Sequence, residues 1–157
     1  MPSEARIWVV IAAFNEAAVI GRVVAEATRR GYVTVVVDDG SRDATGEMAG
    51  KAGAIVLRHP VNLGQGAALQ TGIDYALRHD PDFVVTFDAG GRHRAQDIGA
   101  LIAALENHDA DFALGSRFLG SATNLPLEPG SCSRPRSPSP ASRPGYGSPT
   151  RITACAP

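Results

Sequence analysis

The chain has 157 residues, 44% of them hydrophobic, a length that suits one domain with a single core. Its 15 basic and 16 acidic residues give a formal net charge of −1, which excludes nucleic-acid binding driven by overall charge. Because no apolar run reaches the ~18 residues of a membrane span and no signal peptide is recognisable, we expect no transmembrane segment and a cytoplasmic location.

The composition changes near residue 128. The stretch 128–157 holds seven of the 11 prolines, six serines and four arginines, with very few aliphatic side chains. Such a stretch buries too little apolar surface to offset the entropy lost on ordering. The sequence therefore predicts an ordered domain over 1–127, followed by a disordered or non-native tail over 128–157.

Apolar runs alternate with helical patterns along the first 127 residues. We predict strands at 7–13, 33–37, 54–57, 83–87 and from 112, and helices at 15–30, 45–52, 65–78 and 96–106. Strands that alternate with helices are typical of βαβ units and a parallel sheet. The fold class is therefore α/β.

Polar side chains follow the predicted strands at the points where ligands of parallel sheets bind. These residues are Asn15, Glu16, Asp38, Asp39, Asn62 and Asp88. Several acidic turns around one crevice repel each other unless a cation or hydrogen-bond donors lie among them. The pattern predicts a site rich in acceptors, suited to a hydroxyl-bearing ligand or a metal ion.

Five short motifs contain these polar residues. They are Ala12-Ala13-Phe14-Asn15-Glu16, Val37-Asp38-Asp39-Gly40-Ser41 with Asp43 and Thr45, Asn62-Leu63-Gly64-Gln65-Gly66-Ala67-Ala68 with Gly72, Phe87-Asp88-Ala89 continuing to His93, and Gly115-Ser116-Arg117-Phe118. In order and spacing, they resemble the opening of family 2 glycosyltransferases. The resemblance covers residue 7 to about residue 127 and is closest to the polyprenyl- or dolichyl-phosphate mannosyl- and glucosyltransferase branch.

The resemblance implies a GT-A fold, a Rossmann-like three-layer sandwich with a mostly parallel sheet, here incomplete at its C-terminus. By position, Ala12, Phe14 and Glu16 would line the nucleotide pocket, Asp39 would accept from the base N–H, and Asp88 would begin an Asp-x-Asp metal motif. The implied reaction is inverting transfer from a UDP- or GDP-linked sugar with Mg²⁺ or Mn²⁺. The implied acceptor, polyprenyl phosphate, would bring the protein to a membrane surface.

The metal motif departs from the family pattern. Where the family usually reads Asp-Ala-Asp-Gly-Gln-His, this chain has Gly90 in place of the second carboxylate and Arg92 in place of the glutamine. A single carboxylate holds a divalent cation weakly, and a neighbouring cation opposes it. We therefore expect metal binding at Asp88 to be weakened by Gly90 and Arg92.

The second half of the family's domain, which supplies acceptor contacts and catalytic groups, is not recognisable after residue 127. A one-base shift of the reading frame over 145–157 permits a string that resembles a downstream segment of the same branch. The sequence therefore predicts a truncated N-terminal half of the family's domain, followed by a disordered or frame-shifted tail. Two functions stay open: a glycosyltransferase, and a truncated, catalytically silent nucleotide-binding domain.

Several of these residues also have purely structural interpretations. Asn15 and Asp43 are typical helix N-caps, and Asp38 is expected to bond the amides of its own turn. Gly64-Gln65-Gly66 approaches the dinucleotide fingerprint but follows the third strand, so a tight turn with close backbone packing is the better interpretation. A Rossmann dehydrogenase would need that fingerprint after the first strand.

Three histidines are expected at the surface or in turns: His59, His79 and His108. His93 is a candidate for ordering the metal loop, and Trp8 is expected in the core.

Overall fold

The computed structural model describes residues 5–90, 95–107, 110–115 and 151–155, which form six strands and four helices. The strands are β1 (Ile7–Ala13), β2 (Val33–Asp38), β3 (Ile55–Arg58), β4 (Phe83–Asp88), β5 (Phe112–Gly115) and β6 (Arg151–Cys155). The helices are α1 (Ile20–Arg29), α2 (Thr45–Lys51), α3 (Gln65–Leu77) and α4 (Asp97–Asn107).

The strands form one sheet in the order β3-β2-β1-β4-β6-β5, and every pair is parallel. The chain builds outward from β1 to β3 and then returns to place β4 on the other side of β1. The strand order therefore reverses beside β1, which makes the carboxyl ends of β1 and β4 a topological switch point, where ligands of open α/β sheets bind.

Both faces of the sheet are covered, because alternate side chains of a strand point to opposite faces. On one face, Val9 and Ile11 pack with apolar residues of α1, α2 and α4, while Trp8 and Val10 pack against α3 on the other. The expected parallel α/β three-layer arrangement and the core position of Trp8 are confirmed. Among the described helices, none has the length and hydrophobicity needed to cross a bilayer.

The first helix begins later than the sequence predicts. It starts at Ile20 rather than near Asn15, and Asn15 has a φ of +56°, in the left-handed region. That backbone conformation places Asn15 in a loop, where its side chain bonds the next loop instead of a helix end. The prediction of Asn15 as a helix cap is therefore wrong. The other predicted elements of the first 115 residues are present, with ends within one or two residues.

The tail contains a strand that the sequence analysis does not predict. Arg151–Cys155 forms β6 and lies between β4 and β5, so disorder is the wrong expectation for these five residues. Ile152 and Thr153 are β-branched, which favours a strand locally even though the stretch as a whole is poor in aliphatic residues. The rest of 128–157 and most of the Gly115-Ser116-Arg117-Phe118 motif lie outside the described residues, as does His108.

Helix α3 packs unusually close to the sheet at Gly72. A Cβ atom there would lie 2.4 Å from Val10 Cγ1 and 3.1 Å from Val37 Cγ2. We expect Gly72→Ala to destabilise the fold by ~1–3 kcal/mol through overpacking. Gly66→Ala, on the same helix with no atom within 4 Å of its Cβ position, should leave the free energy of unfolding unchanged or raise it slightly. Urea unfolding of both variants checks this, and equal stabilities would contradict the close packing.

Candidate functional site

The register of the strands brings the predicted acidic turns to one crevice. Ala13 of β1 pairs with Asp38 of β2, and Ala12 pairs with Asp88 of β4. The backbone N–H of Asp39 also donates to the Ala13 carbonyl at 2.9 Å. The carboxyl ends of β1, β2 and β4 therefore meet at the switch point, with alanines in the middle and carboxylates on both sides.

The loop after β1 is held by the loop after β2. Four hydrogen bonds join them: Asn15 N–H to Ser41 Oγ (2.9 Å), Arg42 N–H to Asn15 Oδ1 (2.9 Å), Glu16 N–H to Thr45 Oγ1 (2.8 Å) and Ala17 N–H to Asp43 Oδ2 (3.1 Å). The polar motif residues of one loop are thus the partners of the other loop's backbone. This fixes the first loop without help from a ligand.

The three residues predicted to line a nucleotide pocket lie on or beside this first loop. Phe14 is 44% exposed, while Ala12 and Glu16 are half-buried. An aromatic ring at a crevice is available for stacking, because nothing in the core covers it. Ala12 carries only a methyl side chain and pairs with Asp88 of β4.

Asp43 serves two loops at once. Besides Ala17 N–H, its carboxylate accepts from the backbone N–H of Thr45 at 3.0 Å and from the Thr45 hydroxyl. The hydrogen bond from the Thr45 hydroxyl, with those from the two amides, lowers the pKa of Asp43. The N-cap of α2 is Ala44, so the prediction of Asp43 as the cap is one residue early. Asp43 instead bonds the first residue of α2 from outside the helix and also anchors the loop after β1.

Asp39 is buried at 3% exposure and accepts three hydrogen bonds. His59 Nδ1 lies 2.7 Å and Leu63 N–H 2.9 Å from Oδ1, and Gly64 N–H lies 2.8 Å from Oδ2. The carboxylate thereby ties the end of β2 to the loop between β3 and α3. Since a carboxylate has about four acceptor positions, Oδ2 keeps the capacity for one more donor.

The pKa of Asp39 is lowered by these contacts. Burial by itself raises it, but the hydrogen bonds from Leu63, His59 and Gly64, together with the charge of His59, outweigh that effect. Asp39 is therefore ionised at neutral pH. A buried carboxylate held by donors in this way is an acceptor at a fixed place.

Asp38 has a structural role, as the sequence predicts. Its side chain is fully buried, Oδ1 accepts from Ser41 N–H at 2.9 Å, and Oδ2 lies 3.6 Å from Arg58 Nε. Helix α2 covers Oδ2 closely, because a Cβ atom on Gly46 would lie 2.9 Å from it. Asp38 is thus sealed away from the crevice.

Asp88 is half-buried at the end of β4, and position 90 faces it. A Cβ atom on Gly90 would lie 3.3 Å from Asp88 Oδ2, so a side chain there would point at this carboxylate. The described residues contain no group of three or more histidine, cysteine or acidic side chains that could hold a metal ion. Among the described residues, Asp88 is therefore opposed by a glycine rather than by a second carboxylate. Arg92 and His93 lie outside the described residues.

His59 is a site residue that the sequence analysis missed. Predicted at the surface or in a turn, it does lie outside the helices and strands, directly after β3, but it is only 9% exposed and bonds both Asp39 and Thr71. The available signal was its place directly after the third strand, beside the other strand-end residues. His79 is exposed as predicted and stacks on Trp8 with ring centroids 4.9 Å apart.

Gly64 is a turn residue, as predicted, while Gly66 departs from the expected close packing. Gly64 has a φ of +94°, and its N–H is shared between Asp39 and Asn62. Gly66 has open space around its Cβ position. The turn is therefore specified by Gly64 and the carboxylate it bonds.

The family model described as "Glycosyl transferase family 2" matches residues 8–157. The chain belongs to glycosyl transferase family 2. Two curated relatives come from methanogens. An uncharacterised protein of Methanocaldococcus jannaschii is 44% identical over 124 residues, covering 77% of this chain and 51% of the relative. The UDP-N-acetylglucosamine–dolichyl-phosphate N-acetylglucosaminyltransferase of Methanococcus voltae is 30% identical over 141 residues, covering 77% and 56%.

A solved structure shares the fold. Glucosyl-3-phosphoglycerate synthase from Mycobacterium tuberculosis, crystallised with Mn²⁺, UDP-glucose and phosphoglyceric acid, superposes with a TM-score of 0.58 at 25% identity, covering 75% of this chain and 46% of that chain. The GT-A fold and the likeness to the polyprenyl- or dolichyl-phosphate branch are thereby confirmed. The chain spans about half the length of the curated relatives it matches.

Because folding lowers the pKa of Asp39 below its usual value of 3.8, ionised Asp39 stabilises the fold above that pH, and the stabilisation is lost as the pH falls through the folded pKa. We expect Asp39→Asn to cost ~1–3 kcal/mol at pH 7, since an amide nitrogen would face an N–H donor. The difference from the parent should shrink on acidification below about pH 4.

Urea unfolding from pH 3 to pH 7 measures this difference. Asp74→Asn, at an exposed carboxylate on α3 that bonds Gln70, is the matched control and should change little. A cost for Asp39→Asn that stays constant over the whole range would contradict the assignment.

Proposed function

We propose that this chain is the nucleotide-sugar-binding half of a glycosyltransferase that moves a sugar from a UDP- or GDP-linked donor to a lipid-phosphate acceptor. The observation that carries the proposal is the crevice at the switch point, where an ionised, fully oriented Asp39 adjoins the end of β1. Family membership and the dolichyl-phosphate transferase among the relatives support the donor and acceptor classes.

In this proposal the base is held by the end of β2 and the loop after β1. Asp39 Oδ2, with one hydrogen bond from Gly64, would accept from the ring N–H of uracil or guanine. The exposed ring of Phe14 would cover the base, and Ala12 would let the nucleotide approach the sheet. Each group is in place before the nucleotide arrives, which reduces the entropy lost on binding.

The chemistry suits an acceptor that is already anionic. A phosphate oxygen of the lipid would attack the anomeric carbon as the bond from that carbon to the nucleoside diphosphate breaks, so the displacement inverts the configuration. Such a nucleophile does not need a strongly perturbed general base. A lipid-phosphate acceptor would place the reaction at a membrane surface.

A second candidate function is nucleotide binding without catalysis. Gly90 favours it, because the described part of the crevice offers Asp88 as a lone carboxylate where the family pattern has a pair. A departing diphosphate carries charge that a bound metal normally neutralises. The mycobacterial neighbour was crystallised with Mn²⁺.

Nucleotide binding is tested most cleanly at Phe14, because Asp39 also supports the fold. We expect the chain to bind UDP or GDP more tightly than free glucose in calorimetry. Phe14→Ala should weaken binding by ~1–3 kcal/mol through lost stacking. Phe112→Ala removes a similarly exposed ring, 55% exposed on β5, and should not alter affinity. Equal effects of the two substitutions would show that Phe14 does not line the nucleotide pocket.

The departure from the family's metal motif is tested by placing a second carboxylate opposite Asp88. The parent should show little Mn²⁺ enhancement of nucleotide affinity, whereas Gly90→Asp should make affinity depend on Mn²⁺, because two carboxylates would then face each other. Without metal their repulsion should lower the melting temperature, and Mn²⁺ should reverse that loss.

Gly90→Ala, which adds a Cβ atom without charge, controls for backbone effects. If the nucleotide affinity of the parent already depended fully on Mn²⁺, Asp88 together with other ligands would be sufficient to bind the metal. That result would remove the main argument for a catalytically silent chain.

A further inference from the structure

A nearly buried histidine connects Asp39 to helix α3. His59 follows β3, and its ring reaches Asp39 Oδ1 with Nδ1 at 2.7 Å and Thr71 Oγ1 with Nε2 at 3.0 Å. Its backbone N–H also donates to the Asp38 carbonyl at 2.9 Å. The ring is therefore fixed from both sides, between the end of β2 and α3.

The hydrogen bond to Asp39 fixes the role of one ring nitrogen. An ionised Asp39 only accepts, so Nδ1 carries a hydrogen and donates it. Nε2 faces the Thr71 hydroxyl, which also lies 3.0 Å from the Ala67 carbonyl on α3. His59 is therefore a donor to Asp39, with its ring held from the other side by Thr71.

We propose that His59 is a positioning residue that holds the Asp39 carboxylate in the orientation that receives the nucleotide base. The proposal rests on the proposed nucleotide-binding function. The His59 Nδ1–H and Leu63 N–H engage Oδ1, while Oδ2 has Gly64 N–H alone and stays available to a ring N–H donor of uracil or guanine. Thr71 sets the orientation of the His59 ring, because its hydroxyl bonds Nε2.

The neighbouring charged groups have each other as partners. Asp38 and Arg58, which adjoin Asp39 and His59 in the sequence, lie 3.6 Å apart. The hydrogen bond from His59 Nδ1 to Asp39 is 2.7 Å long, with 11% of the histidine side chain and 4% of the aspartate side chain exposed. A low-dielectric setting strengthens this hydrogen bond and makes a carboxylate without its donors costly.

The donor role of Nδ1 is measured first, without any nucleotide. In the histidine-labelled parent at pH 7, ¹⁵N NMR should show a hydrogen on His59 Nδ1, with the resonances assigned by their loss in His59→Asn. Thr71→Val keeps the side-chain shape but removes the hydroxyl from Nε2, and it should shift the Nε2 resonance. Thr71→Ser keeps the hydroxyl and should preserve the parent spectrum. A His59 Nδ1 without a hydrogen in the parent would overturn the proposal.

The positioning role is measured by nucleotide affinity. Thr71→Val should weaken UDP or GDP binding about tenfold at pH 7, the equivalent of about one hydrogen bond, and Thr71→Ser should bind like the parent. An unchanged affinity in Thr71→Val would refute the positioning role. If the parent binds neither nucleotide, the proposed function fails and the positioning role with it, whereas the NMR result still decides whether Nδ1 is the donor to Asp39.

Discussion

The buried carboxylate of Asp39 is the contact on which the crevice depends. It accepts from two backbone amides and one imidazole, and so joins the end of β2 to the loop between β3 and α3. A buried charge is costly unless donors surround it, and here the donors come from residues 20 or more positions away in the chain. Once those bonds form, the loop geometry and the acceptor position are set together.

Close approach of backbones makes this contact possible. Gly40, with a φ of +74°, lies so near the β3–α3 loop that a Cβ atom would be 2.6 Å from the Val61 carbonyl carbon. Gly72 lets α3 pack closely against Val10 of β1 and Val37 of β2. The same two glycines that pack the fold therefore also bring Thr71 and His59 to Asp39. The close packing at these two glycines therefore supports both the stability of the fold and the geometry of the crevice.

The two sides of the crevice differ in how complete they are. On the side formed by β1, β2 and β3, Asn15 and Asp39 have hydrogen-bond partners in neighbouring loops. The side at β4 has Asp88 facing a glycine. Under the proposed function, recognition of a base would depend on the first side and neutralisation of a diphosphate on the second.

The sequence by itself determined the alternation of strands and helices, the parallel sheet and the residues at its carboxyl edge. Continuous β-branched runs and helical spacing are local signals, and the family motifs add the GT-A fold. Only the tertiary structure decided the roles of Asn15, His59 and Arg151–Cys155. Asn15 looks like a helix cap until its loop partners at Ser41 and Arg42 are known, and His59 looks exposed until α3 closes over it. The strand at Arg151–Cys155 depends on the edge that β4 offers, far away in the sequence. The local sequence signals at these positions are weak, and burial and hydrogen bonding between distant segments override them, which is why these three assignments required the folded chain.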